Sequence, residues 1–93
     1  VTELVTGIDL VEWMVRLAAG DRSMFDKPAP LPRGQAMQVR ICAENPARRF
    51  APSSGIVTAA SFPDSARVET GIEAGAAVPP VYDPLLATLA VHG

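Results

Sequence analysis

Pro28, Pro30 and Pro32 stand at alternate positions with Ala29 and Leu31 between them, and this spacing limits the fold more than any other feature of the chain. Each proline ring fixes φ and removes a backbone donor, so the stretch from Asp21 to Pro32 is expected to run extended and polyproline-like, without ladder hydrogen bonds. The connector separates two periodicities. Before it, Leu10, Val11, Met14, Leu17 and Ala18 recur at helical spacing within residues 8 to 19 and predict an amphipathic helix. Thr6 with Asp9 three residues later makes a capping-box-like start, Glu12 and Arg16 can pair across one turn, and Gly20 supplies a left-handed stop. Trp13 and Val15 widen the apolar surface beyond one stripe, which calls for more than one covering neighbour.

After the connector the period becomes two. From Gln35 to Glu44, Met37, Val39, Ile41 and Ala43 fall on one face and Gln38, Arg40, Cys42 and Glu44 on the other, as in a strand. Asn45-Pro46 ends it, because proline cannot donate to a ladder and asparagine readily starts a turn, here through Ala47 to Arg49. Ser53-Ser54-Gly55 predicts another turn, followed by a strand over Ile56 to Phe62, a reversal at Pro63-Asp64-Ser65 and a strand over Arg67 to Ile72, paired as a hairpin. Beyond the bend at Gly75 to Ala77, Pro79-Pro80 enforces extension, and Asp83-Pro84 can cap a short helix over Leu85 to Leu89. The remainder reads as the start of a further strand. The expected fold class is α+β: an N-terminal amphipathic helix, then a small, mainly antiparallel sheet with short helical turns.

The chain has 93 residues, a net charge of −2 and 48% hydrophobic residues, which suits one small globular domain and neither a disordered tail nor a nucleic-acid binder. The single cysteine, Cys42, excludes an internal disulfide and fits a reducing compartment, taken as the cytoplasm. Apolar runs are far shorter than the roughly 20 residues that span a bilayer, so no membrane association is expected. The absence of an initiator Met at Val1 and the stop at Gly93, after the strand-like Leu89-Ala90-Val91-His92, read as cuts through a longer protein.

Among residues able to do chemistry, Arg40 lies on the polar strand face, where pattern alone favours an ion pair with Glu44. Asp83 reads first as a cap for the segment that follows it. Cys42 lacks a His or Cys partner, His92 is isolated, and Ser53 and Ser54 lack the strand-to-helix turn of a hydrolase nucleophile. No Gly-rich phosphate loop, phosphate-binding Lys or magnesium-binding carboxylate pair is found.

Three ordered runs carry a resemblance. Arg33-Gly34-Gln35-Ala36-Met37-Gln38-Val39-Arg40-Ile41-Cys42-Ala43-Glu44-Asn45-Pro46, Phe50-Ala51-Pro52-Ser53-Ser54-Gly55 and Tyr82-Asp83-Pro84-Leu85-Leu86-Ala87 are similar, in order and spacing, to signatures of the biotin carboxylases. Val1 to Trp13 resembles the family segment just after the catalytic loop. The sequence departs from the family at Gln35, where His is usual, at Val81 in place of the first Tyr, and at Thr88 in place of Lys.

The resemblance implies a biotin carboxylase C-terminal domain-like fold, with residues 1–34 ending the ATP-grasp region and residues 35–93 forming a truncated C-terminal domain. It implies biotin as cofactor, with ATP and Mg2+ bound upstream, and a reaction in which bicarbonate is activated as carboxyphosphate before N1′ of biotin is carboxylated. Arg40 is then the catalytic, biotin-binding residue, beside the ureido ring. A permanently charged, planar donor suits an oxygen that gains negative charge as the reaction proceeds. Asp83 and Glu44 are its candidate supporting carboxylates. The implied partners are the biotin carboxyl carrier domain, the ATP-grasp region and the carboxyltransferase domain, and the chain by itself is expected to be inactive. The details Gly7 to Arg16, Pro52-Ser53-Ser54-Gly55 and Ser61-Phe62-Pro63 look more like the urea carboxylase branch than like acetyl-CoA, propionyl-CoA or pyruvate carboxylases. A non-catalytic packing module is the reading from another class, motivated by Gln35 and Thr88.

Overall fold

The computed structural model describes residues 1–93, which divide into two compact units, Val1–Met37 with His92–Gly93, and Gln38–Val91. In the first unit a short helix α1 (Thr2–Thr6), not foreseen from the sequence, precedes the expected one. It stops at Gly7, whose φ of 72° lets its N–H reach Glu3 O, a conformation that costs glycine nothing and a Cβ-bearing residue much more. The Thr6 hydroxyl donates to Thr2 O and accepts from the Ile8 N–H, so it finishes α1 rather than starting the next helix. Asp9 is the actual N-cap of α2 (Leu10–Ala18), accepting from the Glu12 N–H at 3.0 Å.

The C-terminus of α2 is a Schellman motif. Gly20, at φ 87°, donates to Leu17 O and Asp21 donates to Arg16 O, both at 3.0 Å, so two carbonyls that the helix leaves open are satisfied. Arg16 fastens this end: it meets Glu12 at 3.4 Å, Asp21 at 2.8 Å and the Ser23 hydroxyl at 3.1 Å. Trp13 is half-buried and meets Phe25 of a 3-10 turn (Ser23–Phe25) edge to face at 5.8 Å. Val11 and Met14 are about 70% exposed, so the predicted apolar face is present but uncovered by this chain. No strand forms in the connector, as the prolines require, but Ser23–Phe25 turns where extended chain was expected, because the prolines begin only at Pro28. The connector's end is tied to α1 by Arg33 N–H donating to Val5 O at 2.7 Å.

The second unit carries most of two long strands, β1 (Ala36–Cys42) and β7 (Leu85–His92), together with β2 (Glu44–Asn45), β3 (Ala51–Pro52), β4 (Gly55–Ile56), β5 (Arg67–Thr70) and β6 (Ala77–Val78). The main sheet has the order β1-β7-β5, with β7 in the middle. β5 and β7 are antiparallel, in the register Val68 opposite Leu89 and Thr70 opposite Ala87. β2 pairs with β3 around a 3-10 turn (Pro46–Arg48) that Asn45 caps through Ala47 N–H, and β4 pairs with β6. Ala87, in the middle strand, is the one buried residue, at 1% exposure.

Two expectations are corrected here. The hairpin of Ile56 to Phe62 with Arg67 to Ile72 does not form: β4 stops at Ile56 and takes β6 as partner, while β5 takes β7. Val57 still exchanges backbone hydrogen bonds with Ala76 and Gly75, but Ala59, Ala60 and Ser61 beyond it have little strand preference. The short helix over Leu85 to Leu89 is instead the first part of β7. Asp83 does accept from a following N–H, that of Leu85 at 2.9 Å, but this closes an Asx turn two residues long and sends the chain into the sheet. Strand pairing on both sides of β7 outweighs the weak helix preference of five residues.

Candidate functional site

Arg40 is on β1, and its side chain is more than half exposed, clear of the backbone ladder. Its Nη2 lies 3.3 Å from Oδ2 of Asp83, a residue forty-three positions away that stands just before β7. Two observations explain how the fold brings them together. β1 and β7 are neighbours in the sheet, and Ala43 N–H donates to Pro84 O at 2.7 Å, which continues the link between the strands past the end of β1. Ser53 N–H in turn donates to Ala43 O at 2.8 Å, fixing the chain where it leaves β1.

The two oxygens of Asp83 have separate tasks. Oδ1 accepts from Leu85 N–H and Oδ2 faces Arg40, so the carboxylate is oriented by its own turn as well as by the guanidinium. The capping reading and the arginine-partner reading of Asp83 therefore both describe one carboxylate. An exposed ion pair with one long contact is worth no more than about 1 kcal/mol of stability, because water screens it and both side chains lose freedom. Its energetic weight does not explain its placement.

Glu44 does not take the partner's place. Four residues along an extended strand cover about 13 Å, too far for an ion pair, and Glu44 sits on β2, opposite Pro52. The alternation around Arg40 is otherwise as read, but Met37, Val39 and Ile41 are 67%, 49% and 40% exposed, so the opposite strand face is apolar without being covered by this chain. Cys42 is half-buried and free. No group of three or more His, Cys, Asp or Glu side chains is close enough to hold a metal ion.

A second cluster, in the first unit, was not foreseen. Gly34 adopts φ 67° and is wedged so closely that a Cβ there would lie 2.6 Å from Gly93 O and 2.8 Å from the His92 ring. Gln35 and Gly93 exchange both backbone hydrogen bonds, at 2.6 and 2.8 Å, and His92 Nε2 lies 2.9 Å from Arg33 O. The Arg33-Gly34 opening of the motif is thus a backbone crossing in which only glycine fits. The one available signal was that glycine itself. Arg33 and His92 also line an apolar-walled cavity of about 830 Å3 with Leu4, Val5, Pro30 and Leu31; Arg40 is not among its walls. Electrostatics in this unit concentrate at Asp21, whose carboxyl is held down to about 2, first by the Ser23 N–H, then by the Ser23 hydroxyl and Arg16. Arg16 is raised in return, chiefly by its hydrogen bond to Asp21.

The family model for the biotin carboxylase C-terminal domain matches residues 38–93. Urea amidolyase of Saccharomyces cerevisiae is 48% identical over 93 residues, covering 100% of this chain and 5% of that protein. The crystal structure of urea carboxylase from Kluyveromyces lactis superposes with a TM-score of 0.93 at 49% identity, over 99% of this chain and 8% of that one. The biotin carboxylase domain of 2-oxoglutarate carboxylase from Hydrogenobacter thermophilus, solved with MgADP and bicarbonate, superposes with a TM-score of 0.91 at 38% identity, over 100% of this chain and 21% of that one. The chain therefore spans a small part of each of these proteins.

Proposed function

The chain belongs to the biotin carboxylase C-terminal domain family, and from that membership we propose that it forms one wall of the biotin site in a urea carboxylase. The observation that carries the proposal is the aimed guanidinium of Arg40, held beside Asp83 at 3.3 Å in the motif positions that resemble the family's. Carboxylation of biotin makes its ureido group enolate-like, and a donor already in place stabilises that charge without reorganising at the moment of reaction. Arginine stays protonated throughout and presents several N–H groups in one plane.

Biotin, when bound, supplies the nitrogen that accepts the carboxyl group; Arg40 is the residue of this chain that would face its ureido oxygen. ATP, Mg2+ and bicarbonate are assigned to the ATP-grasp region of the parent module, of which residues 1–34 form the end and to which residues 35–93 add the C-terminal domain. The working partners are the carrier domain that delivers biotin and the carboxyltransferase domain that consumes carboxybiotin. The 93 residues alone do not turn over in this reading, and the cytoplasm is the proposed compartment. No helix is long and apolar enough to cross a membrane.

Urea as final acceptor is supported by the higher identity to the urea enzymes, 48–49% against 43% for a methylcrotonoyl-CoA carboxylase subunit of Mus musculus and 38% for the 2-oxoglutarate enzyme. Arg40→Ala in the full-length carboxylase tests the site: biotin-dependent ATP cleavage should fall by about 100-fold, the usual loss for one donor to a developing oxyanion. Unchanged turnover would sink the assignment. Offering urea, acyl-CoA and 2-oxo acid acceptors to the same enzyme reads the substrate, and carboxylation of an acyl-CoA instead of urea would overturn the urea reading alone.

A further inference from the structure

Asp83 is held by its own backbone turn as well as by the arginine it faces. Oδ1 is committed to the Leu85 N–H at 2.9 Å, and the Ala43 to Pro84 hydrogen bond at 2.7 Å pins the same turn to the end of β1. Only Oδ2 is left, and it meets only Nη2 of Arg40. The pair is single-contact where a fork-to-fork arrangement would have used two parallel bonds. Nε and Nη1 of Arg40 remain outside this contact.

We propose that Asp83 is a positioning residue for Arg40: the turn-anchored carboxylate sets the direction of the guanidinium through one nitrogen and leaves the other donors for the ligand. This rests on the biotin-site reading of Arg40 given above. The division of labour has a chemical consequence. The exposed, single-contact carboxylate offsets only part of the charge on Arg40, so what it sets is the direction of the guanidinium. Its directed N–H groups still serve an oxygen that becomes negative only during the reaction.

The two roles of the carboxylate can be separated by substitution. Asp83→Asn keeps an acceptor oxygen for Leu85 N–H, and so the turn, but removes the charge facing Arg40. In the full-length enzyme, assayed with free biotin, ATP and bicarbonate, Asp83→Asn should lower kcat about tenfold, in the range seen when a group orienting a catalytic residue is removed. KM for biotin should stay within about twofold, because the lost alignment matters only as charge develops. In an Arg40→Ala background the same change should cost nothing further, since Asp83 acts through Arg40. Wild-type kcat in Asp83→Asn, or an equal tenfold loss in the Arg40→Ala background, overturns the positioning role. If Arg40→Ala itself leaves turnover unchanged, the biotin-site reading fails, and this inference falls with it.

Discussion

Replacing Gly34 by alanine makes two demands on the backbone at once. At φ 67° the residue is in the left-handed region, where an L side chain costs about 1–2 kcal/mol. The new methyl would also sit 2.6 Å from Gly93 O and within 3.0 Å of two atoms of the His92 ring. The ring can rotate away, but the carbonyl belongs to the backbone that Gln35 holds with hydrogen bonds of 2.6 and 2.8 Å, so it yields only if that bracket loosens. Overpacking of this kind costs about 1–3 kcal/mol, giving a total of roughly 2–5 kcal/mol. The assay is amide hydrogen exchange at Gln35 and Gly93 in the full-length protein, which reads the local opening free energy without requiring global unfolding. Gly34→Ala should cut protection there by about 30-fold or more, the ratio that 2 kcal/mol produces. Adding His92→Ala should recover little of it, because the closer obstacle is the carbonyl. Protection reduced by less than about twofold would refute the reasoning, as would full recovery in the double variant.

Two further predictions concern each unit separately. In the first, the Asp21 carboxyl titrates at about 2 when folded against an ordinary 3.8, so its stabilising contribution is fully present above pH 3.8 and is lost as pH falls toward 2. An acid titration monitored by Trp13 fluorescence should show this loss, and Asp21→Asn should remove the pH dependence in that window; an unchanged profile would show that the Arg16–Asp21–Ser23 cluster does not govern it. In the second, Ala87 is 1% exposed in the middle strand, so Ala87→Leu should destabilise by about 1–3 kcal/mol in urea denaturation, and a neutral result would mean that β7 has room the structure does not show.

Much of the local order was legible in the residues. The proline spacing marked a strand-free connector, though Ser23–Phe25 within it is a 3-10 turn; Gly20 ended α2 as expected, while its start fell to Asp9 instead of Thr6; and period-two alternation around Arg40 identified β1. Each of these signals acts within a few residues, through φ restriction, capping or side-chain direction. The errors were of the opposite kind. Leu85 to Leu89 carries both a cap before it and apolar residues throughout, so it is compatible with helix or strand until neighbours are known. Ile56 to Phe62 was paired with the segment next in sequence, whereas the actual partner of β4 is β6. Glu44 shares the polar strand face with Arg40 in the sequence pattern, but an extended strand carries residue i+4 out of reach.

The candidate site shows the same division. The resemblance of the motifs singled out Arg40 and Asp83, and local pattern placed Arg40 on the exposed strand face and Asp83 at a turn. That Asp83 rather than Glu44 stands at Arg40, with one oxygen anchored and one free, was decided by tertiary structure alone. Caps, turns and alternation are settled by residues that are already neighbours. The Arg40–Asp83 contact joins positions forty-three apart and exists because β1 and β7 share a ladder. Strand pairing satisfies backbone donors and acceptors that are chemically alike at nearly every residue, so the identity of the partner is fixed only when the whole sheet assembles.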